Sequence, residues 1–123
     1  MAPDPSLVAR VRAAITDRAL EHRLALREKH MFGGLAFMLD DKMACGVIND
    51  DLMVRVGPAA HDDALAHEHA RPMDFTGRPM RGYVFAGAHG CDTQASVAYW
   101  VDRAAANVES LIRAERGSGE RGR

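Results

Sequence analysis

The apolar positions of this 123-residue chain follow two rhythms. Near the start, Leu7, Val8, Val11, Ile15 and Ala19 recur at helical spacing, with Arg10, Arg12, Asp17, Arg18 and Glu21 on the other face. Asp4 can cap this helix, and Pro5 suits its first position, where the backbone N–H has no helical partner anyway. The pattern fades near His22, and "RLALREKH" reads as either a helix tail or a linker. From Gly34 the period drops to two. Leu35, Phe37 and Leu39 alternate up to Asp40-Asp41, and Met43, Cys45 and Val47 up to Asn49-Asp50-Asp51. Leu52, Val54 and Val56 alternate up to Gly57-Pro58. Three short runs with tight acidic turns predict an antiparallel meander.

Pro58 permits a helix start, and "AAHDDALAHEHA" reads as a short surface helix with a thin stripe through Ala60, Ala64 and Leu65. "RPMDFTGRPMRG", with its prolines and glycines, is extended or looped. Tyr83 to Ala86 predicts a fourth strand and "GAHG" a turn. Val97, Trp100, Val101, Ala104, Val108, Leu111 and Ile112 then predict a helix from about Thr93 to Glu115, capped by Asp92 or Thr93. The order helix, three strands, helix, strand, helix implies an α+β sandwich whose helices cover one sheet face. The polar "RGSGERGR" reads as a disordered tail, leaving one domain over residues 1–115 and a tail over 116–123.

Composition narrows the picture. One domain of this length buries enough surface to need no disulfide or metal. The net charge of -1 and pI near 6.6 do not match the basic face of a nucleic-acid binder, so direct DNA binding is not expected. Two cysteines, no signal-peptide pattern and no apolar run near the roughly 20 residues that span a bilayer point to a cytoplasmic protein.

Four chemistries can be weighed from the residues. His61, His67 and His69 share one acidic segment, but on a helix they point to different sides, and the i, i+4 pair of a zinc face is missing. A solvated polar helix is the simpler reading. His89 and Cys91 form an H-x-C fragment, a weak metal or thiol candidate, and a helix start after Cys91 would lower its pKa. Cys45, in an alternating strand, reads as a packed thiol. Arg55, Arg71, Arg78 and Arg81 make the best anion-binding group, a docking site for an acidic partner or a phosphate. Pairing with Asp50, Asp51, Asp63 and Asp74 is their plainer reading. Met38 and Met53, if they share an exposed strand face, would form an adaptable protein-binding patch. Gly33-Gly34 leads into a strand and lacks the helix N-terminus that a phosphate loop uses.

Taken together, "MFGGLAFMLDDKMACGVINDDLMVRVG", "RPMDFTGRPMRGYVF" and "YWVDRAAANVESL" resemble the N-terminal domain of the TfoX/Sxy family of bacterial competence regulators. The most specific pieces are Met31-Phe32-Gly33-Gly34, Leu52-Met53-Val54-Arg55-Val56, and Gly77-Arg78-Pro79-Met80 leading to Gly82-Tyr83. Asp41 stands where the family tends to turn with glycine, a left-handed position aspartate tolerates. The resemblance implies an α+β domain, structural roles for Met31, Phe32, Gly33, Gly34, Gly77, Pro79 and Gly82, and no catalytic residue or cofactor. It implies a stand-alone version without the family's C-terminal helical domain. It also implies a link to transcription of DNA-uptake genes through protein partners such as a cyclic-AMP receptor protein. Self-association as a homodimer, through an exposed sheet edge or an apolar strand face, is a further expectation. The competing reading is a small enzyme or thiol/metal protein built on Cys91, His89 and the arginine-rich loop.

Overall fold

A computed structural model of the chain describes residues 2–31, 33–73 and 80–121, with side chains through Arg116. Helix α1 (Pro5–His22) opens on Asp4, whose carboxylate accepts from the Ser6 N–H at 3.1 Å. Leu7, Val8, Val11, Ile15 and Ala19 form its buried stripe, as their spacing requires. It stops at Arg23, which adopts a left-handed conformation with φ of 57°.

Six strands then build one sheet: β1 (Leu26–Met31), β2 (Gly34–Leu39), β3 (Lys42–Ile48), β4 (Asp51–Arg55), β5 (Ala70–Pro72) and β6 (Tyr83–Ala86). Their spatial order is β1-β2-β3-β4-β6-β5, and every pairing is antiparallel. The meander and the Tyr83 strand are therefore as the period-two pattern predicts, and two strands are added. "RLALREKH" resolves as the turn into β1, an edge strand bearing Arg27, Glu28, Lys29 and His30, all exposed. Its two faces are both polar, so it carries no alternating signal. β5 forms in the Pro/Gly segment as a three-residue edge.

The β2–β3 turn uses Asp40 and Asp41, both with positive φ (50° and 64°), as a two-residue hairpin of type I′ needs. Asp41 thus holds a position that favours glycine. Asp41→Gly is expected to raise stability by about 0.5 kcal/mol, because the exposed Arg27–Asp41 ion pair it removes is worth little. A thermal melt compared with the parent checks this.

Helix α2 is short (His61–Leu65), and α3 is long (Gln94–Arg121). The cap of α3 is Thr93: its Oγ1 accepts from the Ser96 N–H at 3.0 Å, while the Thr93 N–H donates to Ser96 Oγ at 3.2 Å. α1 and α3 lie together on one sheet face. Phe37, Leu39, Cys45, Val47, Leu52, Val54 and Val84 meet Val97, Trp100, Val101, Ala104 and Val108 there in one core. Met53, Phe85 and Met73 make a smaller cluster with Met43, Ile48 and Tyr83 beside it. Strand alternation and register place this cluster on the opposite face.

The Gly33-Gly34 pair sits at the β1–β2 turn. A Cβ at Gly34 would lie 2.3 Å from the Val47 carbonyl oxygen of β3, whereas one at Gly33 would meet open space.

Candidate functional site

The arginine group is dispersed by the sheet. Arg55 and Arg71 both project from the face opposite the helices. Arg55 lies over the Tyr83 ring at 5.6 Å, and Arg71 lies over Phe85 at 4.9 Å and pairs with Asp51. Tyr83 pairs with Arg55, and Phe85, two residues along β6, pairs with Arg71, so the aromatic rings separate the two guanidinium groups. Arg81 stands at the start of β6 and reaches Asp62 at 3.5 Å. The three do not converge. Arg78 lies outside the described residues, as do Phe32, Gly77 and Pro79.

The Met38 and Met53 patch is also changed. The two share the outer face, but Met53 is only 2% exposed and packs with Met73 and Phe85. The adaptable patch therefore lacks that residue.

The thiol and histidine candidates separate by burial. Cys91 is 1% exposed, with its Sγ 3.6 Å from the Ala86 carbonyl, while His89 is exposed on the neighbouring 3-10 turn. Burial pushes the Cys91 thiol up to about 11, the reverse of the helix-start expectation; the nearby Arg10 lowers it by less. Cys45, fully enclosed, is pushed up to about 12 by the same cause. Neither thiol is expected to react with an aromatic disulfide reagent at pH 8 in the native state, and both are expected to react in urea. A thiol count before and after denaturation measures this, and one native equivalent would refute it. Among the described residues, no three His, Cys, Asp or Glu side chains come together as a metal site.

The histidine segment folds differently from a solvated helix. α2 ends at Leu65, so His67 and His69 lie beyond it, and helical spacing does not govern them. His61 is buried, and its Nδ1 accepts the Gly82 N–H at 2.9 Å, tying α2 to the turn before β6. His67 stands edge-on to Trp100 at 4.9 Å and 5.9 Å from the His69 ring.

One cleft was invisible to the pattern. It has a volume of about 600 Å³ and lies between the turn of residues 56–60 and the face of α3 that carries Arg103, Asn107 and Ser110. Gly57 forms part of its wall with φ of 90°, and a Cβ there would lie 2.3 Å from Asn107 Oδ1. Glycine is thus required both by the backbone and by the amide packed against it. The Arg103 guanidinium is fixed by Asp63 at 2.8 Å and the Tyr99 hydroxyl at 3.0 Å, and the Asp63 hydrogen bond is the largest cause raising its pKa. Its Nε and Asn107 Nδ2 are buried without a hydrogen-bond partner among the described residues. Each candidate residue here sits on the polar side of a helix or in a Gly-Pro turn, where nothing local distinguishes it from a solvated surface.

Comparison with known proteins gives one finding. The family model described as TfoX N-terminal domain matches residues 18–108. No curated protein and no solved structure matches the chain. The matched span runs from the end of α1 through α3 as far as Val108, so it covers every strand of the sheet and the Gly57 wall of the cleft.

Proposed function

We propose that this chain, which belongs to the TfoX N-terminal domain family, is a non-enzymatic regulatory domain that works in the cytoplasm by docking on a protein of the transcription machinery. The match over residues 18–108 carries this reading, because it takes in the whole sheet. No helix among the described residues is long and apolar enough to cross a membrane.

The outer sheet face supports an acidic partner. Arg27, Lys29, Arg55 and Arg71 project there, Arg27 paired with Asp41 and Arg71 with Asp51, although the whole chain is slightly negative. Half-buried Met31, Met38 and Met43 lie among them, unbranched side chains that adapt to a partner's shape. Electrostatic complementarity of this kind steers encounter and selects partners. Self-association through β1 is disfavoured. The two symmetric antiparallel registers centred on the strand would set Glu28 against Glu28 or Lys29 against Lys29.

The test is direct binding of the purified domain to a purified cyclic-AMP receptor protein and to RNA polymerase, at low and moderate salt. Binding that weakens with salt and is lost in Arg55→Glu supports the reading. Absence of binding to both proteins sinks it, and so does strong retention on duplex DNA with a steep salt slope.

A further inference from the structure

We infer that the outer sheet face receives an α-helix of the partner, an amphipathic one whose apolar stripe is bounded at each end by a carboxylate. This rests on the reading of that face as the docking surface and adds what kind of segment docks there. Backbone hydrogen bonding gives the first reason. β2, β3 and β4 each have a strand on both sides, so their N–H and C=O groups are spent within the ladders. An extended peptide laid across them would leave its own backbone unanswered, whereas a helix carries its hydrogen bonds with it.

The relief of the face gives the second. Between β1 and β4 it holds a shallow dent lined by Met31, Ala36, Met43, Gly46, Ile48 and Met53. Ala36 and Gly46 stand opposite each other on β2 and β3, and the longer side chains rise around them. Met31 and Met43 are half-buried and unbranched, so they can shift to seat a leucine-sized side chain. An anchor of that kind, seated in a pocket with a polar rim, supplies much of the energy of a docked helix.

Charge gives the third. Arg27 is answered by Asp41 and Arg71 by Asp51. Lys29 and Arg55 meet no carboxylate among the described residues, although Arg55 lies over the Tyr83 ring. They stand on opposite sides of the dent, Lys29 in the ladder row of Ala36, Gly46 and Met53, and Arg55 two residues beyond Met53. Strands about 4.8 Å apart and a rise of about 3.4 Å per residue put their Cα atoms about 16 Å apart. That is about three helical turns, so two carboxylates on one face of a helix can reach both cations while the apolar residues between them cover the dent.

The experiment is an NMR titration of the chain, labelled with ¹³C in its methionine methyls and with ¹⁵N, using three stapled helical peptides. One carries a leucine stripe with a glutamate at each end, the two glutamates three turns apart. The second has lysines in place of the glutamates, and the third has serines in place of the leucines. Saturable shifts of the Met31, Met38 and Met43 methyls with the first peptide are expected, while the amide of Leu20, on α1 across the sheet, stays unmoved. The lysine peptide should bind at least tenfold more weakly, and the serine peptide should not saturate. Lys29→Glu, at an exposed position, should keep the parent's spectrum elsewhere, weaken the glutamate peptide about tenfold and strengthen the lysine peptide. No saturable shift up to about two millimolar overturns the inference, as does equal binding of the glutamate and lysine peptides. Methionine shifts that grow with protein concentration alone place a second copy on the face and overturn it too. Binding of the receptor protein or the polymerase without methionine shifts removes the helix and leaves the docking reading standing; helix binding with neither protein bound does the reverse.

Discussion

Gly34→Ala is expected to destabilise the domain by about 3 kcal/mol, the upper end of ordinary overpacking costs. The added methyl would sit 2.3 Å from the Val47 carbonyl oxygen, 3.0 Å from Ile48 Cγ1 and 3.2 Å from the Val47 carbonyl carbon. Two of these three atoms are backbone in the adjacent strand, so no rotamer change can relieve the contact. β2 and β3 must part where Leu35 pairs with Val47, inside the sheet and not at its edge. Gly33→Ala is the control. Its Cβ meets nothing within 4 Å, and only its φ of 74° opposes the change, a penalty of about 1 kcal/mol. Urea unfolding followed by Trp100 fluorescence measures both. A Gly34→Ala loss under about 1 kcal/mol would show that the strands separate without strain.

Trp100→Ala should cost about 4 kcal/mol, since large aromatic truncations leave a cavity that the surrounding core only partly fills. Trp100 is the largest of the fully buried side chains, 1% exposed, and lies within the core that joins α1 and α3 to the sheet. It also backs the surface cluster: His67 meets its ring at 4.9 Å, Tyr99 at 5.1 Å, and Arg103 lies 5.9 Å above it. Its loss removes the support beneath Arg103, so the cleft should loosen along with the core. Against a total stability of about 5–15 kcal/mol, the variant would lie close to its unfolding transition at 37 °C. The chain holds one tryptophan, so the melt must be read by circular dichroism. A midpoint within a few degrees of the parent would contradict the assignment of Trp100 as a core anchor.

The parts of the fold that could be read from the sequence have a dry face whose residues repeat at the period of the backbone. α1 and α3 set a wet face against it, while β2 to β4 and β6 are largely buried on both sides. β1 has no such face, because Glu28 on the helix side is held in water by Arg12, at 2.7 and 2.8 Å, instead of being replaced by a core residue. The helix before it ends on Arg23 rather than glycine, so the stop is unmarked too. His61 looked like one more polar residue of a surface helix. Its burial depends on the Gly82 N–H, 21 positions away, which no local pattern reports. The cleft fails to show for the same reason. Gly57 and Asn107 are fifty positions apart, and each is ordinary until the fold sets one against the other.

The order of the sheet has a consequence for how the chain reaches its native state. β1, β2, β3 and β4 pair each with its neighbour in sequence, through turns a few residues long. Such pairings close small loops, which costs little entropy and happens quickly. The helices that roof this meander are drawn from opposite ends of the domain. They are joined through Arg10, whose Nε donates to the Cys91 carbonyl at 3.0 Å and whose own carbonyl accepts from Gln94 at 2.8 Å. That contact spans more than eighty positions, as do the Arg18–Asp102 and His22–Glu109 pairs, so docking the two helices closes some of the longest loops among the described residues. The sheet can therefore assemble hairpin by hairpin while its core face is still wet, and the docking of α1 against α3 is the step that dries it.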